Sequence, residues 1–251
     1  MLRWIEKRQV YHPTWDFDVT PATFKMAHEE VFFDAGDGPR LHGWFFPATN
    51  GSPRAGRVFL VCHGNGGNIS HRIDLAQALL KRGAAVLLFD YRGYGRSTGS
   101  PSEEGTYRDA QAAHAWLRGK GFAPGSILLL GESLGGGVAS ELALREPAGG
   151  MVLQCSFTSA IDMGAEIFPW LPVRWLMTIS YDTHGKLPRI HVPVLILHSR
   201  GDTLIPFRHA ERNLEAANAP KKLVEITGDH NDPVWEDPAY GGAMEAFLGA
   251  Y

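Results

Sequence analysis

A chain of 251 residues with 44% apolar side chains and a formal net charge of −3 suits one large α/β domain whose sheet is covered on both faces. The slight acidity offers no basic face to nucleic acid. The two cysteines, Cys62 and Cys155, make no disulfide framework and read as buried thiols near strand ends, and the eleven histidines show no metal-ligand spacing, so no metal and no other cofactor is expected.

Residues 1–8, MLRWIEKR, mix charges and lack a long apolar run, so they read as neither a signal peptide nor a membrane span. They are expected to form an arm packed on the domain. A weak interfacial anchor through Leu2, Trp4 and Ile5 is the alternative. Glu30–Asp34 and Leu41–Phe46 read as a hairpin around Asp37-Gly38. Val58–Cys62 is a third strand, followed by His63-Gly64-Asn65-Gly66-Gly67-Asn68 and a helix over Ser70–Arg82. Ala85–Asp90 is the fourth strand, and Ser102–Arg118 the next helix. Ile127–Leu130 is the fifth strand, Leu134–Arg145 a helix, and Met151–Cys155 the sixth strand. Val194–His198, a helix over Phe207–Ala217, Leu223–Ile226 and a closing helix over Ala239–Leu248 complete the alternation. Strands alternating with helices predict a mostly parallel eight-stranded sheet with helices on both faces and ligands at the strand C-termini.

Between the fifth strand and its helix stands Gly131-Glu132-Ser133-Leu134-Gly135. A sharp strand-to-helix turn of this kind forces its serine into strained backbone angles and holds the hydroxyl out at the sheet edge, and the flanking glycines remove side chains that would collide. A serine hydroxyl needs a base. The seventh strand runs into Ser199-Arg200-Gly201-Asp202 and the eighth into Gly228-Asp229-His230-Asn231-Asp232, so each delivers one candidate at its C-terminal end. Ser133, Asp202 and His230 then follow in the chain order serine, acid, histidine. His230 accepts the serine proton and Asp202 holds the imidazole tautomer. His198 and His209 flank the Asp202 loop and do not follow the eighth strand. His63, His71 and His191 read as structural or surface residues. The glycine-rich loop after the third strand lacks the lysine of a phosphate loop and offers backbone N–H groups to an oxyanion.

The series HGNGGN, DYRGYGRSTG, GESLGG, SRGD and GDHND over residues 28–250 resembles the α/β-hydrolases, and within them the α/β-hydrolase-domain serine hydrolases of esterase, acyl-thioesterase and lysophospholipase type. The resemblance implies a triad of Ser133, Asp202 and His230, with Asn65 and Leu134 as the oxyanion-hole residues. Relatives of that branch often begin with a transmembrane helix, whereas residues 1–8 do not read as one, and the chain is expected in the cytoplasm. In the loop Asp90–Ser97, Arg92 is expected to support the site by pairing with a carboxylate such as Glu132.

One segment breaks the alternation. Residues 157–190 are long for a crossover and apolar for a solvated loop, and Pro169 and Pro172 divide them. They are expected to form a short cap within a single domain spanning 1–251, with Phe168, Trp170 and Trp175 as the apolar wall of an acyl site.

The expected function is hydrolysis of carboxylic or thio esters of short-to-medium acyl chains through an acyl-enzyme, with a small-molecule ester as partner, no nucleic acid, and a membrane surface not indicated. A lysophospholipase or a protein-deacylating thioesterase uses the same chemistry, and so does a peptidase, though nothing marks a peptide-binding region. A catalytically silent binding protein on the same fold is the non-enzyme alternative. Dehalogenase or epoxide-hydrolase chemistry needs an aspartate, and a dienelactone-type hydrolase a cysteine, where this chain has Ser133.

Overall fold

The apolar runs become strands because each is buried on both sides, with alternate residues serving opposite cores. In Val58–Cys62, residues Val58, Leu60 and Cys62 pack into one core while Phe59 and Val61 pack into the other. In Ile127–Glu132, Ile127 and Leu129 face the first core, and Leu128 and Leu130 the second. The computed structural model of the protein describes residues 2–233 and 235–250, without the side chains of Leu2, Arg3 and Pro233.

Its main sheet has eight strands: β1 (Glu29–Asp34), β2 (Arg40–Phe46), β3 (Val58–Cys62), β4 (Ala85–Phe89), β5 (Ile127–Glu132), β6 (Gly150–Gln154), β7 (Val194–Ser199) and β8 (Lys221–Ile226). Their spatial order is β8-β7-β6-β5-β3-β4-β2-β1. β2 runs antiparallel to both neighbours, β1 and β4, and all other pairs are parallel. This is the mostly parallel sheet that the alternation predicts, with the eight strands where the sequence places them.

Nine helices are described: α1 (Leu2–Val10), α2 (Ile73–Leu80), α3 (Glu103–Gly119), α4 (Gly135–Arg145), α5 (Ala160–Ile167), α6 (Val173–Leu176), α7 (Thr183–Lys186), α8 (Arg208–Ala216) and α9 (Pro238–Gly249). Core residues of α3, α4 and α8 lie on one face of the sheet, and those of α2 and α9 on the other. The sequence reads one helix from Ser70; here residues Ile69–Arg72 form a 3-10 turn capped by Asn68, and α2 follows.

The arm is tied down. Glu6 accepts hydrogen bonds from the Thr178 and Ile179 N–H groups and from Thr178 Oγ1. The Tyr11 and Tyr181 hydroxyls meet at 2.9 Å, and His12–Pro13 pairs in parallel with Gly66–Gly67. Trp4 and Ile5 are exposed; the Leu2 side chain lies outside the described residues. Among the described residues no helix is long and apolar enough to cross a membrane.

Residues 157–190 fold as the short helices α5, α6 and α7 and a 3-10 turn over Leu187–Arg189. α5 ends at Ile167, just ahead of Pro169, and Pro172 caps α6, so both prolines act as breaks.

Candidate functional site

β5 ends in the turn that its sequence predicts. Ser133 has φ 54°, in the left-handed region that a non-glycine residue occupies only under constraint. The constraint is visible: Ser133 N–H donates to the Gln154 carbonyl at the end of β6, and its own carbonyl accepts from Gly136 N–H and Ser156 Oγ. α4 then starts at once. Its first residue, Gly135, lies against the end of β3, and a Cβ there would overlap the Cys62 carbonyl oxygen and lie 2.7 Å from that of His63. Both obstacles are backbone atoms that cannot swing away. Gly135→Ala is therefore expected to cost about 3 kcal/mol or more, read as a Tm lowered by roughly 6–12 °C for a domain of this size. An unchanged Tm would show that α4 can slide away from β3.

The hydroxyl of Ser133 lies 3.1 Å from His230 Nε2, and His230 Nδ1 lies 2.8 Å from Asp202 Oδ2. Ser133 and Asp202 are nearly buried, as is the imidazole of His230. The structure thus brings together three side chains from the ends of β5, β7 and β8. Asp202 is held firmly, since its other oxygen, Oδ1, accepts from the N–H groups of Leu204 and Ile205. Burial alone would raise its pKa, but the His230 bond and these two N–H donors outweigh it and keep the carboxyl below its ordinary value. His230 sits at the tip of a tight hairpin in which Gly228–Asp229 pairs with Asp232–Pro233, a feature too short to register as a strand in the sequence.

The other candidates are bonded to groups other than the serine. Asp229 accepts from Thr203 N–H, Thr203 Oγ1 and the backbone N–H of His230, so it shapes the loop. His198 is buried and donates from Nε2 to the Ile205 carbonyl; burial lowers its pKa. His209 is also buried and also lowered by burial, with Nδ1 accepting from Thr158 N–H and Nε2 on Glu166. His63 is pushed down to about 3 by burial and the nearby Arg72 charge. Its neutral ring donates from Nδ1 to the Gly64 carbonyl.

The glycine-rich loop passes beside the serine. A Cβ on Gly64 would stand 3.5 Å from that of Ser133. Asn65 is pinned at both ends: its carbonyl accepts from His12 N–H and Tyr94 Oη, and its Nδ2 donates to the Val10 carbonyl. Leu134, next to the nucleophile, is buried. The pairing expected for Arg92 is corrected by the structure. Arg92 binds Asp37 and the buried Asp109, and the partner of Glu132 is Arg72. The strand order gives the reason: β4, which precedes Arg92, is separated from β5 by β3, whereas Arg72 lies just after β3. Arg72 also donates to the Gly66 carbonyl, and so ties the glycine loop to the strand that carries Ser133.

Two cavities meet at Ser133. One, of about 430 Å³, is apolar, with Phe157, Met163, Ile167, Phe168, Met177 and Ile205 among its walls. The other, of about 600 Å³, is polar and includes Arg72, Glu132 and His230. Of the three aromatic residues expected at an acyl wall, Phe168 lines the apolar cavity. Trp170 and Trp175 are not: they are 72% and 91% exposed and absent from the walls of either cavity. The break at Pro169 turns the chain outward after Phe168, so the two indoles leave the cavity. The wall also draws on Gln9 and Val10 of α1 and on Leu204 and Ile205 beside Asp202, contributions from distant sequence that no local pattern marks.

Residues 57–177 match the family model described as alpha/beta hydrolase fold. The chain is 41% identical over 236 residues to the uncharacterized protein Rv2307c of Mycobacterium tuberculosis, covering 93% of this chain and 83% of that one. It is 31% identical to the alpha/beta hydrolase domain-containing protein WAV2 of Arabidopsis thaliana, over 86% of this chain and 76% of the other. A solved esterase of Pyrococcus furiosus, Pf2001, superimposes with a TM-score of 0.74 at 20% identity, over 96% of this chain and 99% of its own. With the sheet order, the turn at Ser133 and these relatives together, the chain belongs to the α/β-hydrolase superfamily.

Proposed function

We propose that this protein is a serine hydrolase that cleaves carboxylic or thio esters of short-to-medium acyl chains. The observation that carries the reading is the unbroken hydrogen-bonded line from Asp202 through His230 to Ser133. Ser133 Oγ attacks the ester carbonyl while His230 Nε2 takes its proton, and Asp202 fixes the proton of the neutral imidazole on Nδ1 and stabilises the imidazolium. The N–H groups of Leu134 and Asn65 receive the oxyanion, at the N-terminus of α4, where the helix dipole favours negative charge. His230 then gives the proton to the leaving alcohol, and a water molecule repeats the sequence on the acyl-enzyme.

The apolar cavity suits the acyl chain, with the segment 157–190 serving as a short cap on a single domain. Each methylene taken out of water contributes about 0.8 kcal/mol, or about four-fold in kcat/KM. Across p-nitrophenyl esters of rising acyl length, the rate is expected to climb and then to drop once the wall at Phe168 and Met163 is reached. Phe168→Ala moves the optimum to longer chains with little loss on acetate esters, and Trp175→Ala leaves the profile unchanged. A shift with Trp175→Ala and none with Phe168→Ala would move the acyl site elsewhere, and a chain without turnover on any ester would overturn the hydrolase reading.

A further inference from the structure

The two cavities that meet at Ser133 differ in one respect that assigns the two halves of a substrate, given the reading of Ser133 as nucleophile and His230 as its base. His230 is part of the wall of the polar cavity and not of the apolar one. Leu134 is part of the apolar wall and not of the polar one. The leaving group must receive its proton from His230 Nε2, so it has to depart on the His230 side. The acyl group stays on Ser133 Oγ and lies on the Leu134 side.

The charges of the polar cavity are unevenly matched. Arg72 spends its guanidinium on Glu132 and on the Gly66 carbonyl. His71 holds Asp18 through Nε2 and accepts the Asn68 N–H at Nδ1. The exposed carboxylates of Asp74 and Asp232 also line the cavity and have no hydrogen-bond or ion-pair partner among the described residues. The basic groups are committed and two acids are free. A phosphorylated or carboxylated alcohol meets repulsion there, whereas hydroxyls and cationic groups meet acceptors.

We propose that the polar cavity between the glycine loop and His230 is the alcohol site, and that it selects a hydrophilic alcohol, rich in hydroxyls or cationic, that carries no negative charge. The substrate is then an ester joining one apolar acyl chain to such an alcohol. In the first step the Ser133 Oγ–acyl carbon bond forms, the acyl carbon–alcohol oxygen bond breaks, and the serine proton passes through His230 to the alcohol. In the second, water enters the vacated polar cavity. Its oxygen bonds to the acyl carbon, the Ser133 ester bond breaks, and a proton of that water passes through His230 to Ser133 as the fatty acid leaves.

The test holds the acyl chain constant and varies the alcohol: octanoyl esters of glycerol, choline and glycerol 3-phosphate, with p-nitrophenyl octanoate as reference. Wild-type kcat/KM on the glycerol and choline esters is expected to exceed that on the glycerol 3-phosphate ester by about tenfold or more. The double variant Asp74→Lys/Asp232→Lys raises kcat/KM on the glycerol 3-phosphate ester by about tenfold and lowers it on the choline ester. It leaves the acyl-length optimum of the p-nitrophenyl series where it was. Asp74→Asn/Asp232→Asn changes the ranking in the same direction and by less, which separates charge from any local disturbance. A wild-type preference for the glycerol 3-phosphate ester overturns the inference. So does a ranking that the lysines leave untouched, or a lysine pair that shifts the acyl-length optimum. Absence of turnover on every ester, p-nitrophenyl octanoate included, removes the hydrolase reading itself.

Discussion

Ser133→Ala is expected to lower kcat by about 10⁶-fold on any ester the protein turns over and to leave the fold intact. The magnitude follows from a nucleophile, base and acid that work as one unit, so that losing the serine costs nearly as much as losing all three. On the proposed mechanism, binding in the cavities and the N–H donors of Leu134 and Asn65 would supply the small residual rate. Folding is spared because the contacts that hold the turn are made by the backbone of Ser133, to Gln154, Gly136 and Ser156. Its hydroxyl meets His230, and alanine takes the same backbone angles as serine. The check is kcat beside a thermal melt, with Tm expected within a few degrees of wild type. Undiminished turnover contradicts the assignment of the nucleophile.

The second large effect separates Asp202 from Asp229. In Asp202→Asn, the amide oxygen is kept at the Oδ1 position by the N–H groups of Leu204 and Ile205. The amide NH₂ is then left facing His230 Nδ1, where Oδ2 now lies at 2.8 Å. An NH₂ there makes Nδ1 an acceptor and moves the ring proton to Nε2, towards Ser133 Oγ, which removes the base. A loss of about 10⁴ in kcat is expected from a tautomer so reversed. Asp229→Asn keeps an oxygen that accepts from Thr203 and from the His230 N–H, and the loss stays within about tenfold. The opposite ranking, with Asp229→Asn the more damaging, would move the acid onto the histidine loop.

What could be read from the sequence is what local pattern and chain order carry. The eight strands stand out because a strand buried on both faces is an unbroken apolar run, as in Ile127–Leu130 and Val194–Leu197. The turn at Ser133 was legible because a positive-φ serine needs glycines around it. The meeting of Asp202 with His230 followed from their positions after neighbouring strands. Pairings that depend on strands lying side by side without being consecutive in sequence were not legible. Arg92 and Arg72 are both arginines in the connections that follow strands, and the order β5-β3-β4 decides which of them reaches Glu132. The wall of the apolar cavity was half legible. Its apolar content was visible, but whether an indole turns inward depends on the chain direction after Pro169, and composition carries no direction. The contribution of α1 to the cavity had no signal at all, because it arises from the pairing of Glu6 with Thr178 and Ile179 and of His12–Pro13 with Gly66–Gly67.

The central claim is that Ser133 is an activated nucleophile, and covalent labelling tests it with no knowledge of the natural substrate. A fluorophosphonate reacts with a serine whose proton is taken by a neighbouring base and whose developing oxyanion is stabilised. Intact mass spectrometry after incubation is expected to show one equivalent of phosphonate, with peptide mapping placing it on Ser133. His230→Ala is expected to label at least a thousandfold more slowly, and Ser133→Ala not at all. A wild-type protein that stays unlabelled, or one that carries the phosphonate on another residue, would contradict the account.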